Sequence, residues 1–120
     1  MIFDTNILIY LSKYILDPEK ILKANASISV ITKIEELGYS FTNKDEHNLL
    51  KDICNELPVI ALSDQIAEVT IQLRSNYRIK LPDAIIYATA LVENVPLITN
   101  NIADFKSLDN KVELINPFTL

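Results

Sequence analysis

Short apolar runs alternate along the chain with longer segments of helical period. The run from Met1 to Asp4 has the length of a buried strand, and ILIYLSKYIL after Asn6 predicts a helix ending before Asp17-Pro18, where proline restricts the residue ahead of it. Pro18 suits the start of a second short helix, PEKILKAN, and Ile28 to Ile31 has strand composition. Thr32 is then placed to cap a helix through KIEELGYS, with Glu35 in the capping-box position. Leu49, Leu50, Ile53, Cys54 and Leu57 share one face of a helix predicted over Asn43 to Leu57, which Pro58 stops. Val59 to Leu62 reads as a buried strand. Ser63-Asp64 caps a helix that carries Ile66, Val69, Thr70 and Leu73 on one face. A proline-started helix from Pro82 to about Glu93 precedes the strand PLIT, Asp104-Phe105 marks a short helical turn, and Lys111 to Ile115 is a last strand. Strands and helices in this alternation imply an α/β domain with a largely parallel sheet and helices on both faces.

Composition narrows this picture. At 120 residues, 49% apolar and 22% charged, the chain reads as a single domain over residues 1–120 with an ordinary core. Cys54 is the one cysteine, which rules out an internal disulfide and the cysteine-based zinc patterns. No apolar stretch reaches the roughly 18 residues of a membrane span, and the pattern of a secretory leader is not found at the start, so a cytoplasmic setting without a membrane is expected. The net charge of -5 argues against holding nucleic acid by a broad basic surface, although a metal can bridge an acidic site to phosphate. With Gly38 as the one glycine, neither a Walker loop nor a GxGxxG loop can be built.

In parallel sheets ligands gather at the carboxyl ends of the strands. Asp4 ends the first predicted strand, Glu35 follows the second, and Asp104 lies five residues after PLIT. Asp83 stands in the first turn of the apolar LPDAIIYATAL helix, where the helix dipole favours a carboxylate but burial of its charge still requires a partner. Carboxylates gathered in one pocket raise one another's pKa and call for a cation, and oxygen donors of this kind suit Mg²⁺ or Mn²⁺.

DTN after an apolar strand, SVITxxE, LPDAIIYATAL and LITNNIADF together resemble the PIN domain, most closely the VapC-type ribonuclease toxins of bacterial toxin–antitoxin pairs. The motifs run in the family's order from residue 4 to residue 105. The resemblance implies a PIN-like three-layer α/β/α domain with a mostly parallel central sheet. It implies a metal-dependent endoribonuclease with Asp4, Glu35, Asp83 and Asp104 as acidic quartet and metal ligands, supported by Asn6, Thr99 and Asn101. Its implied partners are an RNA substrate, a cognate antitoxin and a second copy of the chain. Two departures stand out: Glu35-Glu36-Leu37-Gly38 carries two adjacent acids, so Glu36 competes with Glu35 for the ligand position, and the stretch between Asn6 and Ile28 is short.

Each residue also has a plainer reading. Asp4, Thr5 and Asn6 are good helix caps, Glu35 and Glu36 suit a capping box or a solvated face, Asp83 a first helical turn and Asp104 a turn. His47 in its polar stretch and Cys54 on an apolar face are expected to carry no chemistry. Arg74, Arg78 and Lys80, leading into the LPDA motif, are the best placed bases for steering an RNA backbone. Tyr10, Leu11, Tyr14 and Ile15 on the first helix, and Ile85, Ile86, Ala88, Thr89 and Val92 on the Asp83 helix, read as core. Rival readings are a PIN-like RNA- or protein-binding module without cleavage, a housekeeping RNA-processing nuclease, and a haloacid-dehalogenase-like phosphatase. The last expects an acid where Asn6 stands.

Overall fold

The computed structural model describes residues 1–22, 25–38 and 43–119. Among the described residues, five two-residue strands form the centre: β1 (Ile2–Phe3), β2 (Ile28–Ser29), β3 (Val59–Ile60), β4 (Leu97–Ile98) and β5 (Leu114–Ile115). All paired neighbours are parallel, in the orders β1-β4-β5 and β2-β3. A parallel bridge between Ile2 and Ser27 joins the two sets, giving β3-β2-β1-β4-β5 across the molecule. Connections therefore run outward in opposite directions from the β1/β4 boundary. At such a switch point a crevice opens beyond the strand ends.

Side chains along a strand alternate between faces, and two residues per strand suffice to feed two cores. Ile2 and Leu97 join Ile66, Leu73, Ile86 and Phe105 under helices α5 (Asp64–Asn76), α6 (Leu81–Glu93) and α7 (Ile102–Lys106). Phe3 and Ile98 join Ile7, Leu8, Leu11 and Leu50 under α1 (Thr5–Ser12), α2 (Pro18–Leu22) and α4 (Lys44–Glu56). This is the expected three-layer α/β/α arrangement. Among the described residues no helix is long and apolar enough to cross a membrane.

Several boundaries differ from the sequence expectation for local reasons. The first helix stops at Ser12, four residues early, because Tyr14 adopts a left-handed φ of 56° and the N–H of Ile15 bonds back to the Tyr10 carbonyl at 2.8 Å. Tyr14 and Ile15 consequently point outward, 70% and 54% exposed, and do not join the core expected of them. The strand expected through Ile31 ends at Ser29, whose hydroxyl caps α3 (Val30–Leu37) by accepting from the Ile31 N–H. Thr32, expected as the cap, lies buried inside that helix, so Glu35 is in its second turn and makes no capping box. Strand β3 is an edge strand with Val59 exposed, where a buried strand was expected. The tails of PEKILKAN and KIEELGYS fall partly on residues 23–24 and 39–40, outside the described residues.

Candidate active site

The Asp4 carboxylate is 4% exposed at the end of β1, and both of its oxygens are engaged. Oδ1 accepts from the Thr5 N–H at 2.8 Å, which makes Asp4 the cap of α1, and Oδ2 accepts from the Thr99 hydroxyl at 2.8 Å. Thr99 follows β4, so this bond crosses the switch point between the two central strands. The Thr99 oxygen in turn accepts from the Asn101 N–H at 3.0 Å, and the Asn101 amide donates to Asp104 at 2.7 Å. One chain of hydrogen bonds thus runs from β1 to α7 and links Asp4, Thr99, Asn101 and Asp104.

A second branch leaves Asp4 through the next residue. The Thr5 hydroxyl donates to Glu35 at 3.2 Å and lies 3.2 Å from the Thr32 hydroxyl. Of the two adjacent acids on α3, Glu35 is exposed and belongs to this network, whereas Glu36 is 4% exposed with no hydrogen-bond partner among the described residues. Burial, then the charges of Glu35 and Asp4, push Glu36 up from 4.5 to about 7. Its own field, after burial, helps to raise the thiol of Cys54 on α4 to about 11.

Asp83 is half-buried in the first turn of α6 and has no hydrogen-bond partner among the described residues. Desolvation raises its pKa first, followed by the charges of Asp4, Asp104 and Glu35, while Lys80 pulls it down. Asp4 is likewise raised, chiefly by burial and also by Asp104, against the bonds from Thr99 and Thr5. The four acids therefore share one electrostatic field. Among the described residues, however, no three acidic, histidine or cysteine side chains stand close enough to form a closed metal-binding group. Asn6 projects from the first turn of α1 into solvent, without a partner among the described residues.

Three supporting features escaped the sequence reading. Thr5 had only a cap role there, yet its hydroxyl tethers Glu35. Asn100 donates to the Tyr10 hydroxyl at 3.0 Å, fixing the β4–α7 connection to α1. Tyr87, one turn beyond Asp83, stacks on Phe105 with ring centroids 6.1 Å apart and donates to Asp109 at 2.5 Å. Phe105 adjoins Asp104, so the stack joins the helices bearing two of the acids. The signal for Tyr87 is a large aromatic in an otherwise small-residue stretch, IIYATA.

The family model described as PIN domain matches residues 1–111. Among solved structures, a toxin–antitoxin complex from Klebsiella pneumoniae is 34% identical over 97% of this chain and 96% of that one, with a TM-score of 0.74. VapBC2 from Rickettsia felis bound to a promoter DNA fragment is 25% identical over 97% and 98%, with a TM-score of 0.80. DNA-bound VapBC from Salmonella typhimurium, 20% identical over 97% and 96%, shares the fold at a TM-score of 0.84. No curated protein matched the chain.

Proposed function

The chain belongs to the PIN domain family, and from that membership we propose that it is a metal-dependent endoribonuclease, the toxin half of a toxin–antitoxin pair acting in the cytoplasm. The observation that carries the reading is Asp83: a half-buried carboxylate without a hydrogen bond, standing in the combined field of Asp4, Asp104 and Glu35 at the sheet's switch point. Repulsion of this kind is relieved by a cation, and an all-oxygen donor set fits a hard divalent one, Mg²⁺ or Mn²⁺. Asp4, Asp83, Asp104 and Glu35 would hold it. When bound, such an ion lowers the pKa of water and offsets negative charge at the phosphodiester.

The chain's own residues supply orientation. Thr99 and the Thr5 N–H fix both oxygens of Asp4, and Asn101 aims Asp104. Asn6 is exposed beside Asp4 and free to donate to a substrate phosphate. Each Asp4 oxygen accepts one hydrogen bond and keeps a further lone pair, so its role is to present charge at a fixed point. An antitoxin partner is supported by the two toxin–antitoxin relatives of 34% and 25% identity, and a homodimer is proposed with it.

The test is cleavage of total RNA by purified chain in Mg²⁺, in Mn²⁺ and in chelator, beside Asp4→Asn. The expected result is metal-dependent cutting that falls at least about 100-fold in the variant, the scale of losing a preorganised charge. Folded, antitoxin-free protein that cuts in no metal would move the assignment to a binding module.

A further inference from the structure

Both arginines of the chain, Arg74 and Arg78, line a single cavity of about 490 Å³ together with Lys80, Asp83, Asp104 and Ser107. Both are exposed, and among the described residues neither has a hydrogen-bond or ion-pair partner. In an acidic protein of net charge -5, unpaired guanidinium groups collected at one place are the exception to the overall charge. Arginine is the side chain whose planar fork matches phosphate oxygens in pairs. The start of α6 opens on the same cavity without a side-chain cap, leaving first-turn N–H groups that favour an anion.

We propose that this cavity is a phosphodiester subsite, in which Arg74 and Arg78 hold the RNA phosphate next to the scissile one. The inference rests on the nuclease reading for which phosphate is cut, but not for the binding itself. Asp83 and Asp104 repel a phosphate while the guanidinium groups attract it, so the anion is held by Arg74 and Arg78 and the strand is drawn past the acids that line the same cavity. The two arginines then act locally, setting the register of cleavage instead of coating a surface.

The experiment measures anisotropy of a fluorescein-labelled single-stranded RNA in chelator, where nothing is cut, over a range of salt. Arg74→Ala and Arg78→Ala are each expected to weaken binding about 3- to 10-fold and to lower the slope of log affinity against log salt by about 0.7, as loss of one phosphate contact requires. Lys51→Ala, on α4 and away from the cavity, should change neither. In cleavage assays the arginine variants should raise KM and leave kcat within about twofold. Arg78→Lys should restore the slope and only part of the affinity. A double variant that binds RNA with unchanged affinity and slope overturns the subsite, even where the wild-type chain cuts RNA. The same holds if the double variant loses only its grip on an acidic protein partner, or if the wild-type chain binds no RNA. Arginine-dependent binding by a chain that cuts in no metal upholds the subsite and overturns the nuclease reading alone.

Discussion

Asp4 and Glu36 are carboxylates of equal burial, each 4% exposed, yet their surroundings are opposite. At the strand end, Asp4 accepts two hydrogen bonds that partly offset the cost of removing its charge from water. In the seam between α3 and α4, Glu36 faces Cys54 and the charges of Glu35 and Asp4 with no hydrogen bond to compensate. The first arrangement keeps an anion in place at a site. The second leaves Glu36 favouring its protonated form, while its neighbour Glu35 is the one of the pair that Thr5 ties to the Asp4 network.

The sharpest test of that contrast is Glu36→Leu. The folded pKa of Glu36 lies above its ordinary value, so the folded state holds the proton more tightly. The protonated group's contribution is complete below about pH 4.5 and is lost as pH rises through about 7. In metal-free buffer the stability of Glu36→Leu relative to the natural chain should therefore improve by roughly 3 kcal/mol between pH 4 and pH 8, the free energy equivalent of the rise from 4.5 to about 7. Denaturant titrations of both proteins from pH 4 to 9 should diverge across that window. Parallel profiles would mean that Glu36 finds a partner and that the contrast with Asp4 is false.

Thr99→Val approaches the same contrast from the other side, by making Asp4 resemble Glu36. Valine keeps the shape but removes the donor to Asp4 Oδ2 and the acceptor for the Asn101 N–H. The expected loss is about 2 kcal/mol at neutral pH, since a buried charged group loses its bond and an amide is left unpaired. The Asp4 pKa should climb further, measurable by carboxyl NMR, and cleavage should fall with it. A variant with unchanged Asp4 titration would show that burial alone governs this carboxylate.

The sequence disclosed the α/β layering and the acid positions because both depend on periodicity and on strand ends. Helix α4 runs Lys44–Glu56 behind its Asn43 cap and α5 runs Asp64–Asn76 behind Ser63, close to the patterns that predicted them. It disclosed α1 poorly, since Tyr14 and Ile15 continue the apolar spacing while the chain turns left-handed at a residue that is not glycine. Ser29 and Thr32 are equally good caps in sequence, and only the packed β2 end decides between them. The one-residue difference between Glu35 and Glu36 was legible as an ambiguity alone. Which of the two meets Thr5 depends on how α3 rotates against α1, a tertiary fact.

Tyr87 provides a third buried polar group and the smallest expected effect. Its hydroxyl pKa is raised, first by burial and then by Asp109, so it stays a donor throughout the accessible pH range. Asp109 Oδ1 also accepts from the Lys111 N–H at 3.1 Å, which makes the pair a latch on the connection between α7 and β5. Tyr87→Phe keeps the stack on Phe105 and removes only the latch. The loss should be about 1 kcal/mol, the net value of one such hydrogen bond, with Asp109 returning to solvent instead of remaining buried and unpaired. If the stack alone aligns α7 with α6, cleavage by Tyr87→Phe stays within about twofold of wild type, whereas Tyr87→Ala, which removes both, should lower it together with several kcal/mol of stability. A drop in kcat for Tyr87→Phe at unchanged stability would assign the alignment of Asp104 to the latch, and the hydrogen-bonded network of Asp4 would then extend to the far end of α7.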